Sequence, residues 1–167
     1  MTTSPTIWPY VLKLYGIPEF GPAGIALQDS VGADVDILLF LCFLADRGRQ
    51  AGRDDVARID ASIKGWRETV VKPVRALRRQ LKDGIAPVPL AVSDAIRNIV
   101  KNIELDSERI QLETLEREFA VDGMKPSSLE RIALARQNVM AYGDYLGGFA
   151  EPSVAALIGA FAKLGAK

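Results

Sequence analysis

Leu27-Gln28-Asp29-Ser30-Val31-Gly32-Ala33-Asp34-Val35-Asp36 runs directly into Ile37-Leu38-Leu39-Phe40-Leu41-Cys42-Phe43-Leu44-Ala45, placing three carboxylates just ahead of nine consecutive apolar residues. The apolar run shows no period of two, and a helix this apolar around its whole circumference has to be enclosed by other helices. Asp34 has the position and chemistry of an N-cap, because its carboxylate can accept the orphan amide hydrogens of Asp36 or Ile37. The reading is a central buried helix over about 35–47, with Asp29, Asp34 and Asp36 at its entrance. Carboxylates are rarely buried without partners. Their presence beside the core therefore marks either an internal ion-pair network or a site.

On the N-terminal side, Thr6 is placed to cap a first helix carrying Trp8, Val11, Leu12 and Tyr15, which Gly16 ends. A second helix opens at Gly21-Pro22 and ends in the Val31-Gly32 turn. Asp29, near its C-terminal end, opposes the helix dipole and calls for a cationic partner.

On the C-terminal side, a fourth helix starts near Asp54. Its second half places Trp66, Val70, Pro73, Val74, Leu77 and Leu81 on one stripe, with a kink expected near Pro73. Beside that stripe run Arg75, Arg78 and Lys82, and residues 64–82 hold seven basic side chains against one acid, Glu68. Arg75 and Arg78 are the expected partners of Asp29 or Asp36. The Gly- and Pro-rich segment 83–89 is a linker too short to separate domains. A long fifth helix follows, with Ile96, Ile99, Ile103, Ile110, Leu112, Leu115 and Phe119 as its expected core face. After a break near Val121 to Pro126, Ser127 and Glu130 have capping-box spacing. The helix they open carries Arg136 on its apolar stripe, a second candidate for an internal ion pair. Pro152 or Ser153 opens a last helix to about residue 165, whose Val154, Leu157, Ile158, Phe161 and Leu164 should pack on the domain or on a second copy. The fold expected is all-α: one domain over residues 1–167, six or seven helices bundled around the central one.

Composition narrows the function. The 167 residues are 49% apolar and 25% charged, within the globular range, and the 21 basic and 21 acidic residues cancel. A net charge of zero argues against a dedicated nucleic-acid binder. The absence of histidine removes the usual general base, the commonest metal ligand and any Ser-His or Cys-His nucleophile. Cys42, the single cysteine, lies within the apolar run, where it reads as an inert buried thiol, and no zinc site is expected. The start MTTSPTIWPY lacks the basic and apolar regions of a secretion signal, and nine apolar residues fall far short of the ~20 a spanning helix needs. A cytoplasmic protein without membrane insertion is the resulting expectation, with no catalytic motif and no cofactor site.

The acidic entrance admits three readings. Asp34 caps the central helix. Alternatively Asp29, Asp34 and Asp36 could hold magnesium or calcium, which need only oxygen ligands, although the alternating ligands of an EF-hand loop are missing. Or Arg75, Arg78 and Arg79 could receive a phosphate or carboxylate near the N-terminus of the central helix. The primary expectation is an interaction or adaptor protein with protein partners, among them a second copy. A small-ligand-binding protein or enzyme using the Asp/Arg groups is the alternative.

The order Trp8, Leu14-Tyr15, Leu27-Gln28-Asp29, Gly32, Asp34-Val35-Asp36, Leu38-Leu39-Phe40, Trp66, Val70-Val71, Pro73, Leu77-Arg78 and Leu81-Lys82 resembles a family of proteobacterial proteins of similar length. Its hallmarks are LQD-x-x-G-x-D-V-N-x-L-L-F and W-x-x-x-V-V-x-P-L-R-x-L-R-x-x-L-K, and the resemblance spans about residues 7–120. Asp36 stands where the pattern has Asn, and Val74 where it has Leu. The resemblance implies no activity or substrate. An Asn in relatives favours a capping or amide-bonding role at position 36 over one that needs charge.

Overall fold

A computed structural model describes residues 6–119 and 125–165, and all of their regular structure is helical. In chain order the helices are α1 (Ile7–Tyr15), α2 (Phe20–Val31), α3 (Val35–Asp46), α4 (Arg53–Trp66), α5 (Lys72–Gln80), α6 (Leu90–Glu118), α7 (Ser128–Leu146) and α8 (Glu151–Lys163). A π turn over Arg67–Val71 joins α4 to α5, so the two form one rod, and a 3₁₀ turn over Leu81–Asp83 ends it. Counted as rods, seven helices make the bundle among the described residues.

α3 occupies the centre because its surface is apolar all round from Ile37 to Ala45. Every residue from Asp36 to Ala45 is buried, and α1, α2, α6 and α7 all pack against it. Its start follows from two residues. Gly32 ends α2 in the left-handed conformation at φ 74°, which a residue without Cβ adopts freely. Asp34 then accepts the Asp36 amide at 2.9 Å, the expected N-cap. α8 covers α2 and α7 with Val154, Leu157, Ile158 and Phe161 buried.

Pro73 expresses itself as the π turn. Proline has no amide hydrogen and its ring crowds the carbonyl four residues back, so the backbone widens just before it and Lys72 N–H donates to Arg67 O instead. The 83–89 segment returns the chain so that α6 packs along α5. The expected capping box of α7 forms, with Ser127 N–H donating to Glu130 at 2.8 Å and Glu130 N–H to Ser127 Oγ at 3.3 Å.

Several sequence expectations are corrected. Thr6 does not cap α1 with its side chain. Glu116 of α6 does so instead, accepting from Thr6 N–H at 2.9 Å and Ile7 N–H at 3.0 Å, a carboxylate at the positive end of a helix. α6 meets the expectation at Leu112 and Leu115 but not at its isoleucines. It buries Ser93, Val100, Glu104, Ser107, Gln111, Leu112 and Leu115, while Val92, Ile96, Ile99, Ile103 and Ile110 remain 42–56% exposed. Likewise α5 buries none of its residues, and Leu77 faces outward. Arg136 pairs with Glu151 at the surface, and the buried cation of α7 is Arg131, bonded to Asp46 and stacked 4.0 Å over the Phe161 ring. The expected break at 121–126 and the N-terminal residues 1–5 fall largely outside the described residues. No described helix is long and apolar enough to cross a membrane.

Candidate functional site

The polar groups at the entrance to α3 divide into two clusters. In the first, Arg67 Nη1 donates to both Asp34 and Asp60, at 3.3 and 2.7 Å. Arg67 is the first residue of the π turn. Burial works against the Arg67 charge, but Asp60 and Asp34 outweigh it and keep the guanidinium firmly protonated. Tyr145 donates to the other oxygen of Asp60 at 3.0 Å, and Tyr142 accepts the Asp34 amide hydrogen at 2.8 Å. Asp34 therefore caps α3, pairs with a cation and lies beside a buried phenol.

In the second cluster Glu104 of α6 sits between Arg75, 3.0 Å away, and Arg78, which it also contacts. Arg75 further contacts Glu108. Burial would raise the Glu104 pKa, yet Arg78 and Arg75 hold it below the usual range. Glu108 goes the other way, because burial outweighs its one cation. These ion pairs accompany the inward turn of the polar stripe of α6: Arg75 and Arg78 on the facing α5 give Glu104 and Glu108 cationic partners there.

Gln111 ties Asp36 to the first cluster. Its amide nitrogen donates to Asp36 Oδ2 at 2.9 Å and to Asp34 Oδ2 at 3.3 Å. Asp36 is 6% exposed. Burial above all, then the negative charges of Asp34 and Glu108, pushes its pKa well above the carboxylate range.

The structure thus brings Asp34, Asp36, Arg75 and Arg78 into one neighbourhood and leaves Asp29 out. Asp29 is exposed and has no ion pair or side-chain hydrogen bond among the described residues; the cations expected for it are bound to α6 carboxylates. Nor do the three aspartates converge as metal ligands, since no group of three or more metal-binding side chains occurs among the described residues. Sequence reasoning missed Asp60, Arg67, Glu104, Glu108, Gln111, Tyr142 and Tyr145. The 104, 108 and 111 spacing was a helical stripe, but a charged one beside a stripe of isoleucines. Cys42 is fully buried, and burial pushes its thiol pKa up, away from reactivity.

Two clefts flank these clusters. One of about 880 Å³ opens between the α2–α3 turn, the π turn and α7, past Asp34, Arg67 and Tyr145. The other, about 380 Å³, has an apolar wall of Trp8, Leu12 and Ile25 and reaches Asp36 and Glu104. Gln28, Arg75 and Arg79 border both.

Fold and site define an all-helical bundle with a charged network at the entrance to its central helix. The chain belongs to the family described as Protein of unknown function (DUF2390), whose family model matches residues 6–115. That span includes every charged residue of the network and Gln111; Tyr142 and Tyr145 lie beyond it. No curated protein and no solved structure matches the chain.

Proposed function

We propose that this chain is an interaction protein whose contact surface is the apolar stripe of α6, and that its first partner is a second copy of itself. The observation that carries the reading is the orientation of α6: Ser93, Glu104, Ser107 and Gln111 are buried while its isoleucines face solvent. A contiguous apolar strip on the surface of a folded protein marks a place of association.

Val92, Ile96, Ile99, Ile103 and Ile110 repeat at the alternating intervals of a helix–helix seam, over about 27 Å at 1.5 Å per residue. A two-fold axis makes each contact twice. In an antiparallel pairing that sets Ile99 against Ile103 of the other copy, Val92 falls against Ile110 in the same register. Asp106, bonded to Arg109 at 3.0 Å, occupies the interrupted position and limits the strength of the seam.

The test is solution mass by light scattering across a wide concentration range, for the native chain and for an Ile99→Asp, Ile103→Asp double variant. The native chain should move toward a dimer as concentration rises, and the variant should stay monomeric with an unchanged melting temperature. A native chain that is monomeric throughout, with the same solubility as the variant, would remove the proposal.

A further inference from the structure

The larger cleft is positively charged in a way the network does not use up. Its lining carries Arg67, Lys72, Arg75 and Arg79 against Asp34 and Asp60. Both of those acids are spent on Arg67, and Arg75 is held by Glu104 and Glu108. Lys72 has only the exposed Glu68, at 2.7 Å. Arg79 enters no ion pair among the described residues. Two cations at the mouth are therefore available to an incoming group.

The opposite wall differs in kind. Tyr142 and Tyr145 lie near-parallel, ring centroids 6.4 Å apart and 21° between planes. Both hydroxyls are committed, one to the Asp34 amide and one to Asp60. The hydroxyls are thus fixed, and Leu146 continues the apolar surface. The floor is the α2–α3 turn, Gly32 to Asp34.

We propose that this cleft binds a small organic anion with a flat apolar body, its carboxylate or phosphate meeting Arg79 and Lys72 and its body lying against Tyr145 and Leu146. The volume suits such a molecule, since small-molecule sites run to about 300–1,000 Å³ with a few convergent polar groups on an otherwise apolar lining. Arginine supplies a planar fork for either head group and lysine a point charge. Arg67, paired with Asp34 and Asp60, offsets the charge of the two carboxylates in the lining.

The experiment titrates the full chain, followed by amide and tyrosine-ring NMR signals, with phenyl phosphate, benzoate, inorganic phosphate and benzyl alcohol. Phenyl phosphate or benzoate should saturate and shift signals at Gly32, Val71 and Tyr145. Inorganic phosphate and benzyl alcohol, each lacking half of the required chemistry, should bind at least tenfold more weakly. Arg79→Gln and Lys72→Gln should each weaken phenyl phosphate or benzoate several-fold. Lys101→Gln, which borders only the smaller cleft, should change nothing. No saturation at millimolar concentration overturns the proposal. So does equal binding of inorganic phosphate, and so does a loss on Arg79→Gln and Lys101→Gln with none on Lys72→Gln, which would move the site to the smaller cleft.

Discussion

Gln111 gives Asp36 a hydrogen bond of 2.9 Å while its own Oε1 stays buried without a partner. A charged Asp36 can only accept, so it can do nothing for that oxygen. Asparagine could offer both a donor and an acceptor to the reoriented Gln111 amide. Asp36→Asn should therefore stabilise the protein at neutral pH by on the order of 1 kcal/mol. The pH dependence follows from the sign of the shift. With its folded pKa raised, Asp36 binds a proton more tightly when folded, so stability falls as pH rises above the ordinary carboxylate range toward that raised value. Chemical denaturation at several pH values should show this decline in the native chain and lose it in the Asn variant.

Glu104 should behave oppositely. Its lowered pKa means stability that is present above the ordinary glutamate range and is lost as pH falls through the folded value. Glu104→Ala strands Arg78 and leaves Arg75 with Glu108 alone, and should cost about 3 kcal/mol at pH 7. Arg78→Ala should cost less, because Arg75 still holds the carboxylate. The double variant should cost clearly less than the sum. Asp29→Ala, by contrast, should stay within about 0.5 kcal/mol, as for other surface substitutions. Unfolding free energies of the four variants decide it, and strict additivity would contradict the network.

Asn138 should be among the least replaceable side chains. It is fully buried, accepts from Ala51 N–H at 2.7 Å and donates to Leu41 O at 3.1 Å and Arg49 O at 3.0 Å. Asn138→Leu removes the partner of Ala51 N–H and Arg49 O in the α3–α4 connection, at about 1–3 kcal/mol for a buried group left unsatisfied. A melting temperature within a degree or two of the native value would contradict this.

Gly143 has no room for a side chain. A Cβ there would lie 3.0 Å from the Phe149 ring and 3.1 Å from the Phe149 backbone nitrogen. The ring could turn aside, but the backbone cannot without shifting the start of α8. Gly143→Ala should cost about 1–3 kcal/mol, as overpacking does, while Gly159→Ala, with open space around its Cβ position, should be neutral or slightly stabilising. Thermal melts of the two variants make the comparison.

What could be read from the sequence was what depends on short range. The all-round apolar character of 37–45 placed α3 at the centre, Asp34 announced its own cap, and the spacing of Ser127 and Glu130 fixed the start of α7. Orientation was harder to read. α6 carries two periodic stripes, one of isoleucines and one running through Ser93, Glu104, Ser107 and Gln111, and periodicity alone favours the apolar one as the buried face. Glu104 in the buried stripe pairs with Arg75 and Arg78, a tertiary contact. Asp29 shows the same limit: charge and chain position point to Arg75 and Arg78 as its partners, while the α5–α6 pairing that claims them is tertiary. Arg67 was one basic residue among seven between 64 and 82, with no local feature to single it out.

The π turn gives the whole polar assembly a phase. Geometrically it is a helix holding one residue more than an α-helix would, and one residue is about 100° of rotation. Everything after Val71 is dialled around the rod axis by that amount relative to α4, so the register of Arg75, Arg78 and Arg79 is written into the length of the 67–71 segment as much as into their identities. Losing a single residue there would leave a straight, well-formed helix. It would also turn all three guanidinium groups away from Glu104 and the clefts together.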